Sequence, residues 1–536
     1  MDESRCRERN IAVEKKYYLG LDSSTQGTKL VLLSFAEKRP CYVDAVNYDK
    51  DLPEFDTHNG VIRNLGEGVS ESDPRMWIQA IHILFGRLKN AGYPPKDIRV
   101  ISVSGQQHGL VSLDTQGNLT RKRSKLWNDV STYPECEEII TAVGGKEKVI
   151  EEVFNTMKPG YTASKILNFK KNNPEGYQRT STFFLVHNYV NWFLTGGGTI
   201  GARMMEPGDT SGMALWNPVT GKWSDKICRA ISHDLMEKLP ELQPADQCIG
   251  RISQELAERY GFARDCRIDA GSGDNMYGAV GTGNVKEGIV TISLGTSGTA
   301  YTVFKKPFVD EEGEIASFCD SLGNYLPLLC TSNLANGYNH ILQQQNIGHE
   351  EFAAIVHSTP PGNGGRLLLP WFGGERTPDL PQGTPVFFGF GLDDFTIEII
   401  SRAVLEGHIM NLYEGYLRLP LQAETIHLTG GLSRSSVWRQ TIADIFNCTV
   451  IPVQGEGAAL GAAIHAAYVD HKDTIGDVAE FVNQFIEFDE PNRTRPIPEN
   501  VRRYDQFKKI YLALSPRVRG VTTFGDPFRE RMHFIS

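Results

Sequence analysis

Gly20-Leu21-Asp22-Ser23-Ser24-Thr25-Gln26-Gly27-Thr28-Lys29 is matched, past the middle of the chain, by Ser293-Leu294-Gly295-Thr296-Ser297-Gly298-Thr299. Each stretch follows a short apolar run (Tyr17 to Leu19; Ile289 to Ile292) and precedes another (Leu30 to Leu33; Ala300 to Phe304). The pattern predicts a strand, a tight turn of glycine and small hydroxyl residues, and a returning strand. Such a turn gathers backbone N–H groups and hydroxyls around one point with little side-chain bulk, which suits a phosphate. Two of them suit a polyphosphate held between two halves of an α/β protein.

Working outward, strands are expected at 17–22, 28–35 and 41–48, a Gly/Asp/Asn-rich loop at 50–73, and a helix from Pro74 capped by Asp73. That helix carries Trp77, Ile81, Leu84, Phe85 and Leu88 on one face. Ile98 to Ser104 reads as a buried strand. Residues 134–157, 162–172, 183–194, 222–239 and 249–260 read as helices, and 205–222 as loop and turn. Ala270-Gly271-Ser272-Gly273 reads as a flexible run, with the division between halves near 270–285. Beyond it, helices are expected at 396–417, 436–446, 456–468 and 498–514, with a strand at Ile426 to Leu428. Strand–turn–strand–strand–helix–strand thus occurs twice. The implied organisation is a terminus at 1–16, halves at 17–273 and 274–515, and a tail at 516–536.

The chain has 536 residues, too many for one core. Its 55 Lys+Arg against 65 Asp+Glu give a formal charge of −10, which argues against nucleic acid or an anionic membrane as the main partner. Nine scattered cysteines without a C-x-x-C pair read as thiols in a reducing cytoplasm. No run of about 18 apolar residues predicts a membrane span. The first sixteen residues are charged and lack the apolar centre of a signal peptide.

Several constellations carry chemistry. Asp22 precedes the first turn. Taken singly it reads as a turn-initiating Asp; beside a phosphate loop it reads as an acid that organises magnesium. Gly271-Ser272-Gly273-Asp274-Asn275 places a carboxylate where a base for an alcohol acceptor is needed, with a helix cap as the alternative. Gly105-Gln106-Gln107-His108-Gly109 ends a strand and offers neutral donors and acceptors for a hydroxyl-rich ligand, or is an ordinary polar loop. Trp127, in Leu126-Trp127-Asn128-Asp129, suits the carbon face of a sugar or the core. Gly430 and Gly431 let a flat ligand such as adenine approach the backbone, or simply turn a strand into a helix. The helix holding Gly457, Gly461 and several alanines reads as a close-packing element. Glu375-Arg376-Thr377-Pro378 reads as a cleft-facing salt bridge or a surface turn.

In this order the motifs LGLDSSTQGTK (19–29), GQQHG (105–109), LWND (126–129), PGYTASK (159–165), SGDN (272–275), SLGTSG (293–298), GGERTP (373–378) and TGGLSRSSVWRQ (429–440) resemble the FGGY family of sugar kinases. The resemblance spans about 17–515 and is strongest to the members that phosphorylate xylulose. DKDLPEFDTHNGV (49–61) is similar to the longer loop of the eukaryotic-type members. The resemblance implies two domains of the actin/hexokinase/Hsp70 (ribonuclease H-like) type with an interdomain active-site cleft. It implies ATP-dependent phosphorylation of a ketopentose, D-xylulose, with Mg2+, by a monomer or homodimer. Asp274 is then the general base with Asn275 beside it, and Gln107, His108 and Trp127 face the ketose. Asp22, Ser24 and Thr25 lie at the phosphates and magnesium, and Gly295 and Thr296 meet the phosphates from the other side. Gly430, Gly431 and Arg434 lie near the adenosine. The rival expectations are a kinase of another polyol (ribulose, fuculose or glycerol), an actin- or Hsp70-like ATPase, and a sugar-binding protein without catalysis.

Overall fold

The computed structural model describes residues 16–455, 457–521, 525 and 527–535. The terminus expected at 1–16 therefore falls almost wholly outside the described residues.

The two hairpins form, at Tyr17–Ser23 with Gly27–Ser34 and at Ile289–Leu294 with Gly298–Thr302. Each is the centre of a seven-stranded sheet. In the first, the order is Arg39–Asn47, Gly27–Ser34, Tyr17–Ser23, Ile98–Gly105, Arg267–Asp269, Cys248–Arg251, with Ser272–Gly273 also on Ile98–Gly105. In the second it is Ala316–Cys319, Tyr325–Thr331, Gly298–Thr302, Ile289–Leu294, Thr425–Thr429, Thr449–Gln454, Glu487–Phe488. In both sheets the first strand of the hairpin pairs antiparallel with its return and parallel with a later strand on its other side. The turns consequently emerge at the ends of central strands, where a doubly covered sheet leaves a crevice.

Several helices form where apolar periodicity placed them. Pro74–Asn90 is capped by Asp73, which accepts from the Arg75 N–H at 2.9 Å, and buries Trp77, Ile81, Leu84, Phe85 and Leu88. Ser436–Phe446 and Ile397–Tyr416 agree with the periodicity, the latter capped by Thr396. Other expectations are corrected. The helix read over 134–157 is broken into Tyr133–Val143 and Lys146–Val153, because Gly144 and Gly145 have φ of 101° and 116°. Thr182–Phe184 is a strand on Val111–Leu113, and the helix begins at Val186. The region 222–239 keeps only Asp225–Ile231 as α-helix. Residues 248–251 extend the first sheet before the helix Gln254–Tyr260. Within 205–222, Pro207–Thr210 is a helical turn capped by Glu206.

The run at 270–273 is not flexible. It is buried and paired to the central strand, Ser272 opposite Ser104 and Gly273 opposite Gly105. It leads into the helix Asp274–Gly281, which crosses the glycine- and alanine-rich helix Ala458–His471. A Cβ on Gly461 would lie 1.8 Å from the Tyr277 carbonyl oxygen, and one on Gly281 2.3 Å from that of Gly457. Although it belongs to the last third of the chain, Ala458–His471 packs on the first sheet. A Cβ on Gly20 would meet the Ala459 carbonyl oxygen at 2.0 Å. Tyr18, Val31, Val100, Tyr277, Ala459, Ala463 and Ala467 form one buried cluster there. Close packing of this helix is thus as expected. In the tail, Pro527–Ile535 folds back, with Arg531 donating to the Gly389 carbonyl at 2.8 Å.

Candidate active site

The first turn closes on itself: Ser24 N and Ser24 Oγ both donate to the Gly27 carbonyl, at 3.0 and 2.9 Å. Thr25 stands at the tip, its hydroxyl donating to Gln106 Oε1 (3.2 Å) and accepting from the Trp127 indole N–H (3.0 Å). The long loop buttresses it, since a Cβ on Gly60 would lie 1.7 Å from the Thr25 carbonyl oxygen. Asp49 holds that loop by accepting from Thr57 Oγ1, Asn59 N and Gly60 N. In the second turn Gly295, Thr296 and Ser297 are exposed, while the Thr296 carbonyl accepts from Leu334 N and Ala335 N, both at 3.1 Å.

Asp22 reaches across to the neighbouring strand. It accepts from Ser104 Oγ at 2.7 Å. Burial pushes its carboxyl up, against the Ser104 hydrogen bond and the Lys29 charge. Asp274 is the first residue of its helix, with Gly273 as the cap. Burial, then the charges of Asp22 and of Asp209, push its carboxyl well above the usual carboxylate range. Asn275 Nδ2 donates to Gln107 Oε1 at 2.8 Å and to Asp274 Oδ1 at 3.1 Å, so the SGDN and GQQHG motifs are joined directly. Gln107 Nε2 is buried with no protein partner among the described residues, a donor held out of water. His108 has φ of 64° and packs its ring on Tyr161 (centroids 4.8 Å apart) and Phe318 (5.9 Å). Burial and then the Lys165 charge keep its imidazole neutral. Lys165 Nζ pins the strained backbone by donating to the His108 carbonyl at 2.8 Å.

Gly430, φ 89°, ends the strand Thr425–Thr429 against the second turn; a Cβ there would lie 2.4 Å from the Leu294 carbonyl oxygen. Gly430, Gly431 and Arg434 are all exposed beside it. Trp127 is neither core nor free: it is 37% exposed, bonded to Thr25, with the Arg376 guanidinium 5.7 Å over its ring. Glu375 makes no salt bridge among the described residues. It is buried and accepts from Asn333 N, Asn333 Nδ2, Arg376 N and Asn411 Nδ2.

A second buried cluster escaped the sequence reading. Glu206, Asp209 and His187 are fully buried behind the Ser272–Gly273 segment. His187 Nδ1 lies 2.9 Å from Asp209 Oδ2, and Glu206 Oε1 accepts from Ser272 Oγ at 3.0 Å and from Asp209 N at 2.7 Å. Its one local signal was Glu206-Pro207, a cap followed by Pro at a helix start, inside a stretch whose Gly and Asn content reads as loop.

No cluster of three or more His, Cys, Asp or Glu among the described residues is arranged to hold a metal. Magnesium in phosphate-transfer sites takes only one or two carboxylates, with phosphates and water completing its octahedron. Asp22, half-buried beside the first turn, fits that pattern as the single carboxylate.

Two sheets of matching order each present a glycine- and hydroxyl-rich turn, and beside the first lie two half-buried carboxylates and an amide pair, groups that suit a phosphate and a hydroxyl-bearing small molecule. The N-terminal-domain signature of the FGGY family of carbohydrate kinases matches residues 17–281, and its C-terminal-domain signature matches 290–469. The chain is 36% identical over 506 residues to xylulose kinase of Haemophilus influenzae, covering 92% of this chain and 98% of that one. It is 29% identical over 477 residues to xylulose kinase of Mus musculus, covering 84% and 85%. The structure of ligand-bound xylulose kinase from Lactobacillus acidophilus superposes with a TM-score of 0.84 at 22% identity, covering 95% of this chain and 99% of that one. The chain belongs to the FGGY family of carbohydrate kinases and is a sugar phosphotransferase of the actin/hexokinase-like fold.

No helix among the described residues is long and apolar enough to cross a membrane.

Proposed function

We propose that this protein transfers the γ-phosphoryl group of ATP to D-xylulose, giving D-xylulose 5-phosphate and ADP. Support comes from the xylulose kinases it is similar to and from one juxtaposition. Asp274, raised in basicity, shares Asn275 with Gln107, whose free Nε2 is a ready donor to a ketose hydroxyl. In this reading Asp274 accepts the hydroxyl proton as the oxygen attacks, and Asn275, Gln107 and His108 orient the sugar. Thr25 and Thr296, at the two turn tips, flank the phosphates, and Ser24 holds the first turn closed. Gly430, Gly431 and Arg434 border the adenosine, and Gly295 leaves room for the phosphates. Bound at Asp22, Mg2+ supplies charge to the phosphate oxygens. The helix Asp274–Gly281 marks the passage between an N-terminal half to residue 273 and a C-terminal half from 274. The enzyme works in the cytoplasm as a monomer or homodimer.

The test is ADP release with ATP and magnesium against D-xylulose, D-ribulose, L-ribulose, L-xylulose and glycerol. Stimulation by D-xylulose above the others is expected. Preference for another polyol overturns the substrate, and ADP release indifferent to every sugar overturns the acceptor class.

A further inference from the structure

Of the motifs that mark this sequence, GGERTP has no part in the chemistry above, yet its loop is held by many hydrogen bonds. Glu375 and Leu380 exchange both backbone hydrogen bonds, at 2.8 and 2.9 Å. The buried Glu375 carboxylate gathers N–H donors from residues 332, 333, 376 and 411, and Thr377 Oγ1 donates to the Cys330 carbonyl at 3.0 Å. A carboxylate that accepts several N–H bonds fixes its backbone. The residue so presented, Arg376, is nevertheless exposed. Among the described residues its Nη1 bonds only the soft Cys330 Sγ at 3.4 Å, and its guanidinium lies 5.7 Å over the ring of Trp127, which belongs to the other half. Trp127 in turn spends its single donor on Thr25, at the tip of the first turn. One continuous path thus runs from a rigid loop of the second half, through a cation–π contact, to the phosphate turn of the first.

We propose that Arg376 is a positioning residue of phosphoryl transfer. It clasps Trp127 across the cleft, so that closure of the halves and placement of the Thr25 turn are one event. The inference rests on the kinase reading above. Its consequence is coupling: with the clasp made, ATP yields its phosphoryl group to sugar; with the clasp lost, the turn wanders and water competes. Only an arginine serves, because a planar guanidinium stacks on indole and a hydrated ammonium does so poorly.

The experiment compares wild type, Arg376→Ala, Arg376→Lys, Trp127→Phe and the Arg376→Ala/Trp127→Phe double variant. Two quantities are read: ADP released per D-xylulose phosphorylated, and the Trp127 emission obtained as wild type minus Trp127→Phe. Arg376 is exposed, so its variants should unfold at the wild-type temperature, which separates coupling from stability. Both Arg376 variants should raise the ADP-to-product ratio by roughly two- to thirtyfold, the range a cation–π contact spans. They should also shift the Trp127 emission, and the double variant should be no worse than the poorer single one. Wild-type ratio and emission in Arg376→Ala overturn the clasp while leaving the kinase intact. A wild type without sugar-dependent ADP release overturns the kinase reading and the clasp together.

Discussion

Asp22 and Asp274 approach the site from opposite flanks of one strand. Asp22 is in register with Ser104 on one side of Ile98–Gly105, and Ser272, two residues before Asp274, is in register with the same Ser104 on the other. Neighbouring strands lie about 4.8 Å apart, so two carboxylates from unrelated stretches of sequence are delivered within roughly two strand spacings of each other. The Asp22 charge is one of the causes that hold the Asp274 carboxyl above its usual range.

Replacing Asp274 by Ala should lower kcat by about 100-fold or more, as loss of a general base does, while ATP still binds. Because burial, Asp22 and Asp209 hold the Asp274 carboxyl well above its usual value, the base is lost as pH falls through that raised value. The acid limb of kcat/KM should therefore lie above the ordinary carboxylate range. A pH–rate profile whose acid limb sits at the value of a free aspartate would refute the assignment.

Gln107→Leu removes the buried Nε2 donor and the acceptor of Asn275 together. The KM for sugar should rise by about tenfold, the worth of one well-placed hydrogen bond, with the KM for ATP unchanged. Initial-rate kinetics with each substrate varied in turn decides it.

Gly430→Val places a branched side chain at φ 89°, with its Cβ 2.4 Å from the Leu294 carbonyl oxygen. The strand end and second turn must shift, so ATP affinity should drop while sugar binding survives. Calorimetric titration with each ligand separately tests this split.

Lys165 has no exposed surface, and burial, opposed by the Asp129 charge, pulls its ammonium down from 10.5 to about 7. Unfolding restores the ordinary value, so the unfolded chain binds the extra proton between these limits. The stabilising contribution is full above pH 10.5 and is lost as pH falls through about 7. Urea midpoints of wild type should rise more steeply between pH 7 and 9.5 than those of Lys165→Met. Parallel slopes would show that Lys165 stays charged in the fold.

Gly461→Val should destabilise by about 1–3 kcal/mol, the usual cost of forcing bulk into a packed contact, because its Cβ meets the Tyr277 carbonyl at 1.8 Å. Thermal unfolding measures it.

The two hairpins, the capped helix at Pro74 and the helix at Ser436 were legible because each rests on local rules: turn residues, caps and apolar spacing. The pairing of Ser272–Gly273 with Ser104–Gly105 was not, since a glycine run is as compatible with an edge pressed against a strand as with a hinge. Long-range pairing decided between them. Asp209 and His187 are 22 positions apart and meet only through the fold, so no spacing announces them. Trp127 illustrates a third limit. Its hydrogen bond to Thr25 depends on a neighbour 102 residues away, and neither the core nor the sugar-face expectation contained it.

The helix Ala458–His471 gives the molecule a schedule. It seals a sheet whose first strand, Tyr17–Ser23, leaves the ribosome about 440 residues earlier. At 5–20 residues per second the nascent first half therefore waits roughly 20–90 s with the Gly20 face uncovered. During that interval the apolar face holding Tyr18, Val31 and Val100 lacks its cover, and truncation before residue 458 leaves it so permanently. The enzyme's first half is thus finished by a helix made long after its own strands.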